Sequence, residues 1–263
     1  MTTSTKRLQK GFTLIELLTV IAIIGILAAI IIPTVGKVRD TAAKSVAASN
    51  LRQIGQAALI YASDNKDQLP RLTNVTNGAT FGTATTTAGT GESVDGFAAA
   101  LAVGGGLNDA TIWVVSNDKN GTSTTGASTV YTPNGASKDF TGGTPTFKSL
   151  SLAFGVVLGL TTSDSSTTPI AFTRGFLTTT GGNIDDAIGV YGSDGGHIVF
   201  LGGNVQYYRN LGAAPATGEL IGTDGAKAND IKKTTKATST TKKFVEENKS
   251  GADGTATVGT GGP

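Results

Sequence analysis

The chain has no cysteine, one histidine, one tryptophan and one methionine. The first absence excludes disulfides and thiolate metal sites, and the second excludes any histidine-based metal triad or Ser-His-Asp set built without His197. Charge is sparse too: 21 Lys and Arg against 19 Asp and Glu leave a net +2, and charged residues make up 15% of the chain. So small a net charge gives the protein as a whole no electrostatic footprint for nucleic acid or a membrane surface. Tyr61 is the only aromatic on the long helix proposed below after Phe12, which argues against conduction through stacked rings. In place of these residues the chain is rich in Gly, Thr, Ser and Ala, the style of an exported protein rather than a cytosolic enzyme.

Against that background the segment Gly11-Phe12-Thr13-Leu14-Ile15-Glu16-Leu17-Leu18 stands out. From Phe12 to Ile32 the only ionisable side chain is Glu16, and the run is on the order of the 20 residues with which a helix crosses a bilayer. A carboxylate in such a run is costly unless a partner offsets it. Lys6, Arg7 and Lys10 precede the run and stay cytoplasmic by the positive-inside bias. The plain alternative is a signal anchor whose Glu16 reaches to the interface. An ordinary secretory signal is cut after its apolar run at small residues, and Ile30-Ile31-Ile32-Pro33 offers none, so the run stays on the mature chain.

The string Lys10-Gly11-Phe12-Thr13-Leu14-Ile15-Glu16 resembles the prepilin leader of type IV pilins and type II secretion pseudopilins. The resemblance implies a prepilin peptidase that cuts after Gly11 and methylates the new N-terminus, making Phe12 the first mature residue. It implies that Glu16 meets the N-terminal amine of a neighbouring subunit. The chemistry agrees, because an ammonium that exists only after cleavage compensates a carboxylate held in lipid. It implies as well that Gly25 and Pro33 bound a stretch that loses helicity in a filament. Physical chemistry alone says that proline removes a helix hydrogen bond and that membrane helices tolerate both residues. The implied partners are further copies of the chain in a helical filament, the peptidase and an assembly platform in the inner membrane. The implied location is the inner membrane for the precursor and an extracellular filament afterwards. Many pilins close a C-terminal loop with a disulfide; without cysteine, the equivalent region here must be held by sheet packing or by neighbours.

Past the apolar run, Ala47, Leu51, Ile54, Ala58 and Tyr61 recur at helical spacing, an apolar stripe for packing. One helix is predicted from Phe12 to about Ser63, ended by Asp64-Asn65-Lys66-Asp67-Gln68-Leu69-Pro70. The expected fold class is α+β. Residues 1–11 form a leader, 12–65 a long helix with 12–32 as membrane or filament core, 66–211 a head on an antiparallel sheet, and 212–263 a low-complexity surface extension or tail. Within the head, Phe97 to Val103 reads as a short helix, Asn108 to Val115 as a turn then a strand with Trp113 in the core, and Leu150 to Leu158 and Thr168 to Thr173 as strands. Gly195 to Tyr208 reads as a hairpin turning at Gly202-Gly203-Asn204. With the Leu51-to-Gly55 and Asp64-to-Pro70 strings, it resembles bacterial pilin-like proteins ending in a glycine-rich hairpin, although Gly202 stands where an aspartate is usual. Residues 71–95 and 116–146 are polar loops.

Chemistry outside the N-terminus is thin. His197, beside two glycines, reads as structural or surface. Asn183, Asp185, Asp186 and Asp194 supply oxygens of the type Ca²⁺ takes, but their spacing matches no EF-hand. The expectation is a solvated loop and no cofactor, with calcium as the alternative. The lysines between 226 and 245 have no interleaved aromatics, so a solvated tail rather than a nucleic-acid contact is expected. No enzyme is expected. The leading reading is a pilin, with a type II secretion pseudopilin and a non-polymerising membrane-anchored binding protein as alternatives.

Overall fold

Helix α1 runs from Leu14 to Asp64 with Gly25 and Pro33 inside it, within two residues at the N-terminus and one at the C-terminus of what the periodicity predicts. The computed structural model describes residues 12–70, 94–121, 128–130, 147, 150–177, 183–212, 218–235, 242–248 and 255–260. Most of the two polar loops therefore lies outside the described residues. The chain falls into two units, 1–44 and 45–263, and α1 contributes to both.

In the first unit Leu14, Ile15, Leu17, Leu18, Ile21, Ile24 and Ile31 are all exposed. They lie on every side of the cylinder, the distribution of a helix surrounded by apolar material. In the second unit the pattern narrows to the expected stripe: Ala47, Leu51, Ile54, Ala58 and Tyr61 are buried, while Arg52, Gln53 and Gln56 are exposed. A Cβ on Gly55 would stand 2.9 Å from the Val199 Cγ2, so the missing side chain is what lets the helix approach the sheet. The buried Asn50 amide donates to Ile112 O at 3.0 Å, tying α1 to the next segment.

α1 ends by reversing direction. Asp67 N–H donates to Ala62 O at 2.9 Å and the Asn65 side-chain amide to Tyr61 O at 2.7 Å, which satisfies carbonyls that the helix end leaves open. The reversal holds Lys66 and Asp67 at φ of 56° and 60°. That left-handed region costs a non-glycine residue roughly 1 kcal/mol.

Helix α2, Val94–Gly104, covers the expected short helix and buries Phe97 and Leu101. The strand expected around Ile112 is instead a 3₁₀ turn, Ala110–Trp113. Asp109 explains the correction: its carboxylate accepts from Thr111 N at 2.8 Å and Thr111 Oγ1 at 2.7 Å, a local cap that competes with extended pairing. Trp113 is fully buried as expected, edge-on to Phe97 at 6.4 Å.

Nine strands follow among the described residues: β1 Phe154–Leu158, β2 Pro169–Thr173, β3 Val190–Ser193, β4 Gly196–Phe200, β5 Val205–Tyr208, β6 Leu220–Ile221, β7 Lys227–Ala228, β8 Lys243–Asn248 and β9 Thr255–Thr260. Six form one antiparallel sheet in the order β5-β4-β2-β1-β8-β9, and β6 pairs with β7 separately. The register places Val245, Val156, Ala171 and Val199 in one row, on the face that meets Gly55. Phe172 and Gly155 pair directly on the other face, where Phe172 also packs against Phe176 and Phe244 at 6.2 and 6.3 Å. A Cβ on Gly155 would meet the Phe172 ring at 2.5 Å, so the ring fills the space that this glycine leaves.

Where the composition suggests an added surface element after Gly212, the structure has β6 to β9. Phe244, Val245 and Glu246 of β8 are fully buried beside β1. The Glu246 carboxylate accepts from the backbone N–H groups of Gly175 at 2.9 Å and Leu177 at 3.3 Å, and Lys242 pairs with Asp164. A charge-bearing strand was hard to recognise because its one buried carboxylate is satisfied by backbone from a segment far away in sequence. A second polar anchor binds the loops: Arg174 NH2 holds both oxygens of Asp118 at 2.9 and 2.8 Å, and its remaining donors reach Ile188 O, Leu152 O and Ser151 Oγ.

Burial drives the Glu246 carboxyl up from 4.5 to about 7, against the opposing pull of the Gly175, Leu177 and Phe176 amides and the Arg174 charge. A carboxyl whose folded value lies above its unfolded one stabilises most below the unfolded value and loses that contribution as pH rises through the folded one. Stability of the head, followed by fluorescence of the buried Trp113, should therefore fall between about pH 4.5 and about pH 7 by on the order of 3 kcal/mol; Glu246→Gln should flatten that slope. Lys66→Gly should raise stability by roughly 0.5–1 kcal/mol by relieving the left-handed backbone, measured in the same assay.

Candidate assembly site at the N-terminal helix

The start of α1 is a reciprocal cap. Thr13 sits just before the first helical residue and Glu16 three positions on, the Thr-x-x-Glu arrangement of a capping box. Thr13 N–H donates to Glu16 Oε2 at 2.9 Å, Thr13 Oγ1 donates to the same oxygen at 2.7 Å, and Glu16 N–H returns to Thr13 Oγ1 at 3.3 Å. Two backbone donors that a helix end leaves open are thus satisfied within one turn. In a medium without water that satisfaction matters more, since an open N–H there has nothing else to bond. The Thr-x-x-Glu spacing is itself a local sequence signal of a helix start.

Both Thr13 contacts to the carboxylate end on Oε2. Oε1 stays open to an outside donor among the described residues, so the cap and an incoming ammonium need not compete for the same lone pairs. Phe12 is 77% exposed, and Gly11 lies outside the described residues. Gly25 has open space around it: a Cβ added there would meet nothing within 4 Å. Pro33 lies in continuous helix, and the Thr34 hydroxyl just after it donates to Ile31 O at 2.8 Å. The stretch between Gly25 and Pro33 is therefore helical.

The other sequence candidates do not converge. Asp185 accepts from Ala187 N at 2.8 Å, Asp186 from Ser193 N at 2.9 Å, and Asp194 pairs with Lys119 at 3.0 Å. Among the described residues no three His, Asp or Glu side chains come together as metal ligands. These aspartates instead shape the loop that Asn120 fastens, by donating to Asp186 O at 2.7 Å and Gly189 O at 2.9 Å. His197 is buried on β4, with its ring 4.9 Å from that of Tyr207 and Nδ1 3.4 Å from the Tyr191 hydroxyl. Burial raises the Tyr191 hydroxyl above its ordinary value, and the Tyr191, His197 and Tyr207 rings pack edge-on against one another.

Residues 6–32 match the prokaryotic N-terminal methylation motif. The chain is also 43% identical over 60 residues to type II secretion system core protein G of Pseudomonas aeruginosa, a stretch that covers 23% of this chain and 42% of that protein. The chain thus spans less than half the length of that relative. No solved structure matches. The matched motif, the apolar α1 that follows it and the antiparallel sheet beyond point the same way: the N-terminal region of the chain is similar to that of type IV pilins and type II secretion pseudopilins.

Proposed function

We propose that the chain is the structural subunit of an extracellular type IV pilus-like filament, cut after Gly11 and polymerised through α1. The observation that carries this reading is a prepilin-type string ending in Glu16 at the head of a helix whose apolar half is exposed on all sides. Such a surface is stable in lipid before assembly and against neighbouring copies of the same helix afterwards. Cleavage would create the Phe12 ammonium, and the open Oε1 of Glu16 in a neighbouring subunit would accept from it. Pairing charges in a dry surrounding fixes register, because a misplaced subunit leaves one of them unpartnered. Gly25 and Pro33 would bound the stretch that yields when the helix is packed into a filament. Prepilin peptidase and an inner-membrane assembly platform are the partners this role needs.

A second reading, the major pseudopilin of a type II secretion system, is favoured by the name of the relative from Pseudomonas aeruginosa. It uses the same processing and the same Glu16 contact and differs in where the fibre ends. Shearing cells, collecting the fibres and determining the N-terminus by mass spectrometry separates the readings. N-methylated Phe12 in sheared fibres is the expected result. A processed chain confined to membranes would favour the secretion fibre, and an intact Met1 would favour a membrane-anchored protein that does not polymerise.

Glu16→Ala is expected to abolish fibres while the precursor accumulates in the membrane, as seen by immunoblotting sheared and membrane fractions. Normal fibre yield from that variant would rule out the Phe12–Glu16 contact.

A further inference from the structure

The membrane-spanning reading of α1 leaves Lys37 and Arg39 without a role. Both are exposed, and no ion pair engages either among the described residues. Asp40 and Lys44, by contrast, stand four apart, the spacing of a helical pair, and both take part in interactions. Lys37 and Arg39 follow the end of the apolar run at Ile32 by roughly 8 and 10 Å along the axis, at 1.5 Å per residue. The polar headgroup layer on each side of the hydrocarbon is about 5–7 Å deep. Long basic side chains bury their stems against the apolar surface and carry the charge back toward that layer. Two residues apart on a helix is about 200° of rotation, so the two cations point to nearly opposite sides. A protein partner docks on one side of a helix, whereas a bilayer surrounds it.

We propose that Lys37 and Arg39 form a two-sided collar that binds the phosphates of anionic phospholipids at the leaflet remote from the leader. The proposal rests on α1 spanning the membrane, and it does not require the chain to polymerise. The collar holds the unassembled subunit at a fixed depth and must be released when the helix leaves the lipid. It also gives the anchor a basic flank that cleavage after Gly11 does not remove, unlike Lys6, Arg7 and Lys10.

The test uses the full chain reconstituted in phosphatidylcholine vesicles with trace spin-labelled phosphatidylglycerol or phosphatidylcholine. Electron spin resonance then gives the relative association of the two lipids with the protein. One Lys or Arg at a charged lipid surface is worth about a five-fold preference. Averaged over all lipids around the helix, the K37Q/R39Q double variant should lower the preference for the anionic lipid about two-fold at low salt, and K37R/R39K should retain it. Raising the salt to about 0.5 M should remove the difference between wild type and K37Q/R39Q, as screening requires. K6Q/R7Q/K10Q, which alters the opposite flank, should leave that difference in place. An anionic preference that ignores K37Q/R39Q while the protein still floats with the vesicles in alkaline carbonate overturns the collar alone. Failure of the wild-type chain to float overturns the membrane-spanning reading and the collar with it.

Discussion

Because α1 runs as one helix from Leu14 to Asp64, a single element has to be stable in two kinds of surroundings. In its first half every side must be apolar, since no backbone group or side chain there has water to fall back on. In its second half only a stripe can be apolar, because the other side meets solvent. Much of the remaining architecture answers this constraint. Thr13 and Glu16 close the end of the first half with their own side chains. Gly55 thins the second half where it meets Val199, and Asn50 fastens it to the Ala110–Trp113 turn.

Two glutamates far apart in the sequence do comparable work. Glu16 accepts a backbone N–H to start a helix, and Glu246 accepts backbone N–H groups to hold a turn against a strand. Each spends a carboxylate on peptide groups that would otherwise lack a partner. The difference lies in the reach of the contact. Glu16 bonds within its own turn and keeps one oxygen open, whereas Glu246 joins strands from the C-terminal part of the chain to the middle of the head.

What was legible in the sequence follows from the range of each signal. The long helix and its buried stripe were readable because periodicity repeats over many turns, and the Gly195-to-Tyr208 hairpin because glycines and Asn204 mark its turn chemically. Strands β1 and β2 were readable from short apolar runs. β8 was not, because Lys243, Glu246 and Glu247 around Phe244 and Val245 resemble a solvated segment until the amides of Gly175 and Leu177 are brought against it. The Arg174–Asp118 anchor joins residues that no local pattern links, and the 3₁₀ turn at Ala110 was decided by one aspartate rather than by the β-branched residues around Trp113. At the candidate assembly site, the order of Gly11, Phe12 and Glu16 is a local sequence pattern, while the carboxylate geometry that leaves Oε1 open follows from how the first turn of α1 folds.

The order of strands across the sheet is not their order along the chain. β1, near the middle of the sequence, has β2 on one side and β8 on the other, so its second edge waits for residues about ninety positions later. A chain made from its N-terminus supplies β8 after β1. Until then β1 presents an unpaired edge of Val156 and Val157, the kind of edge on which chains aggregate. Completion of the sheet therefore waits for the whole stretch between β1 and β8, and a chain stalled before that point would be left with an adhesive flank.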